Sequence, residues 1–103
     1  MPFVRVASRN HLWDGEMMTC FAGGTRVLLV ALDGALHAYE DKCAHLGIPL
    51  SKGKLAGRVL TCHAHEWQYD ASTGEGLNPA CMRLKRFPIR MEGTDVFVDV
   101  EEP

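Results

Sequence analysis

The sequence predicts an all-β fold, an antiparallel β-sandwich or partly closed barrel with its chemistry on two loops at one end. Three observations lead there. Short apolar or alternating runs recur along the chain, glycine-containing turns separate them, and a central stretch rich in Cys, His, Gly and Pro suits neither strand nor helix. At 103 residues the chain is sized for one small domain, residues 1–103.

Phe3-Val4-Arg5-Val6 alternates as a half-buried strand does, and Ser8 to Gly15 reads as a loop or short helical turn. Glu16 to Ala22 and Thr25 to Leu32 are strands joined by Gly23-Gly24, a favoured hairpin pair. Asp33-Gly34 offers a second hairpin turn into Ala35 to Glu40. Val27 to Leu32 is apolar on both faces and belongs in the middle of the sheet system. From Asp41 onward the texture is that of loops. Arg58 to Thr61 and Glu66 to Asp70 read as a strand pair around Cys62 to His65, followed by a turn over Asp70 to Gly74. Leu84 to Met91 and Asp95 to Val100 close the fold around Glu92-Gly93-Thr94. The expectation is about eight to ten short strands and no helix.

Composition narrows the function. The longest apolar run, Val27 to Leu32, is far short of the roughly 20 residues that span a bilayer, so no membrane span is expected. The N-terminus lacks a signal-peptide layout, which points to the cytoplasm. A net charge of −2 argues against a nucleic-acid surface. Arg83, Lys85, Arg86 and Arg90 form a basic stretch, whereas Asp95, Asp99, Glu101 and Glu102 form an acidic end. These blocks read either as solvated faces of neighbouring strands or as a steered docking surface. No nucleophile, paired acid and base or phosphate loop is evident.

Four cysteines and five histidines are many for this length, and cytoplasmic thiols bind metal or stay free. They concentrate in Cys43-Ala44-His45-Leu46-Gly47 and Cys62-His63-Ala64-His65. Cys43, His45, Cys62 and His65 give Cys-x-His, 16 intervening residues, then Cys-x-x-His. Gly47 and Pro49 shape the first loop. One thiolate and one imidazole per loop suit an asymmetric two-iron, two-sulfide cluster, thiolates on one iron and imidazoles on the other. The rival from another class is a zinc-stapled binding module, although zinc modules favour paired Cys-x-x-Cys or His-x₃-His arms.

These two segments resemble the Rieske ferredoxin signature, and the strand pattern over nearly the whole chain is similar too. The resemblance implies a β-sandwich base with a smaller cluster-binding subdomain over about residues 41–78, holding one [2Fe–2S] cluster per chain. Rieske proteins of respiratory and photosynthetic complexes add a disulfide between the loops. Those positions hold Ile48 and Ala64 here. Such proteins also place hydroxyls near the cluster sulfurs, where this chain has Glu66-Trp67. Both departures imply the low-potential ferredoxin class, toward the lower end of about −150 to +300 mV.

Thr61 to Trp67, Gly74 to Pro79, Ile48-Pro49-Leu50-Ser51 and Phe87-Pro88-Ile89 are similar to the ferredoxin of toluene monooxygenase systems. In those systems a flavin-containing NADH reductase supplies electrons and a di-iron hydroxylase consumes them. The resemblance therefore implies a monomeric one-electron carrier, not itself an enzyme. The ferredoxin of a ring-hydroxylating dioxygenase is the alternative.

Leu46, Ile48, Pro49 and Pro79 are expected to form an apolar collar around the histidine ligands, with Gly47 and Ala64 beside the cluster. Trp67 either flanks the cluster as a docking anchor or packs beneath the loop. His63 is at the wrong offset for ligation, His11 and His37 read as surface or strand residues, and Cys20 and Cys81 as buried free thiols.

Overall fold

The computed structural model describes residues 3–41, 50, 53–62, 67–78 and 83–100. Among them are eleven strands: β1 (Phe3–Ser8), β2 (Met17–Ala22), β3 (Thr25–Leu32), β4 (Ala35–Glu40), β5 (Lys54–Ala56), β6 (Val59–Thr61), β7 (Gln68–Asp70), β8 (Gly76–Asn78), β9 (Arg86–Phe87), β10 (Ile89–Glu92) and β11 (Asp95–Asp99). Arg9–His11 forms a 3₁₀ turn, started by Ser8, whose hydroxyl accepts from the Asn10 amide. The strands form three antiparallel sheets, ordered β1-β11-β10, β2-β3-β4-β9 and β5-β6-β7-β8.

The apolar run in β3 explains the layering. Val27, Leu29 and Ala31 enter one core with Ala7, Ala38, Phe87, Val96 and Val98. Leu28, Val30 and Leu32 alternate into a second core with Tyr39, Leu60, Tyr69 and Leu84. Successive strand side chains point to opposite faces, so a strand serving two cores must be apolar throughout. Burying each such side chain stabilises the fold by on the order of 1.5–3 kcal/mol.

The β2–β3 and β3–β4 hairpins turn where expected. Asp33 (φ 52°) and Gly34 (φ 81°) both take the left-handed backbone of a type I′ turn. Their amides donate to the Asp14 carboxylate at 3.1 and 2.8 Å.

Several expectations change. The predicted strand from Leu84 to Met91 breaks at Pro88 into β9 and β10, which join different sheets. Proline offers no N–H to continue a ladder, and the break lets the chain cross between layers. The stretch after Asp41 is not all loop, because β5 and β8 flank β6 and β7. These three-residue edge strands are too short to show a period, and they raise the strand total above ten. Glu66 lies outside the described residues, and Arg58 sits beside Gly57 in the β5–β6 turn.

The charge blocks also change. Asp99 is 2% exposed rather than part of an acidic surface, because it ends the middle strand of its sheet and its amide bonds to the Pro88 carbonyl at 3.2 Å. Asp95 pairs with Arg5 at 2.9 Å, Arg83 with Glu75 at 3.6 Å and Arg90 with Glu92 at 3.0 Å. Glu101 and Glu102 lie outside the described residues.

Candidate metal centre

Register in the third sheet sets the site. Lys54 pairs with Thr61, Thr61 with Gln68, and Gln68 with Asn78, so these four residues form one row across β5 to β8. The segment before β5, the connection from Cys62 to Trp67 and the chain following Asn78 therefore all leave the sheet at the same end. Both candidate ligand segments thus connect to one rim.

The first segment is held on either side. Before it, the Asp41 amide bonds to the Arg26 carbonyl at 3.1 Å and the Glu40 amide to the Lys85 carbonyl at 2.9 Å. The buried Asp41 carboxylate accepts from the Thr19 hydroxyl at 2.6 Å and lies 3.7 Å from the Arg26 guanidinium. After it, Leu50 is fully buried in the second core, and its carbonyl accepts the Gly53 amide at 2.9 Å. The second segment is closed at its base, where the Cys62 amide donates to the Trp67 carbonyl at 2.7 Å.

Cys62 is 1% exposed and packed in the second core. Cys43, His45 and His65 lie outside the described residues, as do Leu46, Gly47, Ile48, Pro49, His63, Ala64, Pro79 and Cys81. Trp67 is half-buried and packs against the second core. Cys20 is a buried free cysteine in the first core, and burial with the nearby Asp41 charge pushes its thiol up to about 11. His11 is exposed.

Three features escaped the sequence reading. Asp41 looked like the opening of a loop but is a buried anchor. Leu77, 48% exposed on β8, presents apolar surface one residue from the rim row; a lone leucine among Gly, Glu and Asn was its signal. Arg86, read as part of a basic stretch, is exposed but engaged with its neighbours. It donates to the Ser72 carbonyl at 2.9 Å, lies 2.9 Å from His37 Nδ1, and stacks 5.7 Å over the Tyr39 ring.

Two Cys- and His-bearing stretches of the sequence thus join one rim of a stacked all-β framework. Among the described residues the site shows one buried thiol, Cys62, in an apolar core, and thiolate is a donor suited to iron–sulfur chemistry. Residues 2–88 match the Rieske [2Fe-2S] domain, and the chain belongs to that family. Its cofactor is accordingly a Rieske-type [2Fe–2S] cluster, which sets aside the zinc module.

Two relatives align over nearly the full chain. The ferredoxin component of the alkene monooxygenase system of Xanthobacter autotrophicus (strain ATCC BAA-1158 / Py2) is 42% identical, covering 96% of this chain and 82% of that one. The ferredoxin component of biphenyl 2,3-dioxygenase from Rhodococcus jostii (strain RHA1) is 33% identical, covering 98% and 95%. Among solved structures, the ferredoxin of carbazole 1,9a-dioxygenase from Nocardioides aromaticivorans IC177 superposes with a TM-score of 0.85 at 23% identity, covering 95% and 97%. That likeness carries the fold. The ferredoxin character of the relatives makes this chain an electron-transfer protein rather than a catalyst.

Proposed function

We propose that this chain carries single electrons from a flavin-containing NADH reductase to the hydroxylase of a multicomponent monooxygenase acting on an unsaturated hydrocarbon, aromatic or alkene. The observation that carries the reading is the 42% identity to an alkene monooxygenase ferredoxin across 96% of the chain. The 33% identity to a biphenyl dioxygenase ferredoxin favours a second reading, service to a ring-hydroxylating dioxygenase.

In this reading Cys43 and Cys62 hold one iron and His45 and His65 the other. Neutral imidazoles leave less negative charge around the reducible iron than thiolates do, which raises the potential. The shared rim of β5 to β8 supports treating about residues 41–78 as the cluster-binding subdomain of one 103-residue domain. Leu46, Ile48, Pro49 and Pro79 form the docking collar, with Gly47 and Ala64 lining the cluster; Leu77 and the exposed edge of Trp67 extend it. A partner would dock on this apolar collar. The carrier works as a cytoplasmic monomer; among the described residues no helix is long and apolar enough to cross a membrane.

Absorption and EPR spectra before and after dithionite, with iron and zinc analysis, test the centre. Two irons per chain and a reduced signal of low average g are expected; one zinc in a colourless protein overturns the reading. Reconstitution with a reductase and each class of hydroxylase tests the partner. Faster reduction of the di-iron enzyme is expected, and preference for a dioxygenase would transfer the assignment to the second reading.

A further inference from the structure

Asp41 is a carboxylate in a place that normally excludes one. It is 2% exposed, at the last described position before the first ligand segment. A buried charge is costly unless it is paired and hydrogen-bonded. Asp41 is both, through the Thr19 hydroxyl at 2.6 Å and the Arg26 guanidinium at 3.7 Å. Both partners come from the β2–β3 hairpin, while Asp41 directly follows the neighbouring strand β4, so the contacts tie three strands at one point. The backbone repeats the tie through the Asp41 amide and the Arg26 carbonyl. Residue 41 is thus fixed by side chain and main chain together, two residues before Cys43.

We propose that Asp41 is a positioning residue for the first ligand arm: its clasp on Thr19 and Arg26 fixes the direction in which the chain departs toward Cys43 and His45. The inference rests on the assignment of those two residues as ligands. A stable fold alone does not require the clasp, because the ladder from β2 to β4 already pairs the backbone up to Glu40. Two residues of chain reach no more than about 7 Å, so a shift at Asp41 is passed on to Cys43 with little slack.

The test uses the full chain with its cluster, as Thr19→Val, Asp41→Ala, Asp41→Asn and the Thr19→Val/Asp41→Ala double variant. The readouts are iron content, thermal unfolding, the principal g-values of the reduced cluster and its reduction potential. Thr19→Val and Asp41→Ala are expected to shift the g-values. They should also change electron partition against a fixed reference couple at least threefold, about 28 mV at 59 mV per decade for one electron. Asp41→Asn keeps an oxygen acceptor for the Thr19 hydroxyl and is expected to retain most of the wild-type g-values. The double variant is expected to go no further than Asp41→Ala, because both changes remove the same bond.

Wild-type g-values and potential in iron-loaded Thr19→Val, g-values in Asp41→Asn shifted as far as those of Thr19→Val, or independent additive shifts in the double variant, overturn the proposal. If Asp41→Ala does not fold, the comparison of Thr19→Val with Asp41→Asn decides alone. Wild-type protein without a two-iron centre would instead overturn the ligand assignment, so the two failures are distinguishable.

Discussion

Gly53 lies so close to Thr61 that a Cβ at position 53 would collide with the Thr61 carbonyl oxygen, while standing 3.1 Å from its carbonyl carbon and 3.2 Å from the Leu50 carbonyl oxygen. Backbone cannot yield as a flexible side chain does. The glycine therefore lets the segment leaving Leu50 press against the end of β6, one residue before Cys62.

Gly53→Ala is expected to cost about 1–3 kcal/mol, the range for overpacking a close contact. Gly24→Ala is the control, since nothing lies within 4 Å of its Cβ position, and it should stay within about 0.5 kcal/mol. Thermal unfolding of both variants checks the pair; equal midpoints would show that the close approach carries no constraint.

Tyr39 joins the second and third sheets. Its hydroxyl donates to the Ala71 carbonyl at 2.7 Å inside the second core, and burial pushes its pKa up to about 12, so it stays a donor at neutral pH. Tyr39→Phe strands a buried acceptor and is expected to cost about 1–3 kcal/mol. For a chain of this size that lowers the unfolding midpoint by about 4–8 °C per kcal/mol.

His37 gives a pH dependence. Burial first, then the Arg86 guanidinium, lowers its pKa from 6.5, with Asp70 opposing. The unfolded chain thus binds this proton more readily than the native one. Stability from His37 is complete above pH 6.5 and falls as pH drops from 6.5 toward the depressed native value. Asp70 acts in a separate, more acidic window. The Ser72 hydroxyl holds its pKa below 3.8, so its contribution is present above 3.8 and is lost as pH falls through the native value. Unfolding midpoints across pH for wild type and His37→Gln should differ in slope only below about 6.5; parallel curves would count against the His37–Arg86 contact.

Replacing His45 or His65 by Cys is expected to keep iron bound but lower the reduction potential, because a thiolate adds negative charge beside the reducible iron. Voltammetry checks it, and an unchanged or higher potential would refute the ligand assignment.

His63→Ala is expected to leave the visible and EPR spectra of the cluster intact. Loss of the centre would mean that the imidazole at 63, rather than that at 65, completes the site.

Much of the fold was legible because its signals are local. Thr25 to Leu32 and Ala35 to Glu40 match β3 and β4 residue for residue, since Gly23-Gly24 and Asp33-Gly34 mark turns in which Gly23 and Gly34 take the left-handed backbone that favours glycine. The unbroken apolar run of β3 announced a strand covered on both faces. The Cys and His spacing likewise pointed to the cofactor class, because each loop offers a thiol and an imidazole within three residues.

What tertiary structure alone decided is where long-range pairing overrides local chemistry. Asp41 carries a side chain that reads as solvent-facing, and neighbours distant in sequence, Thr19 and Arg26, explain its burial. Pro88 divides the predicted strand from Leu84 to Met91 between two sheets, and β5 and β8 exist only because β6 and β7 offer them ladders. The sequence thus determined the strands with strong periods, the turns and the kind of metal centre. Packing determined which polar groups are buried and which strand ends share a rim, because those outcomes depend on contacts between residues far apart along the chain.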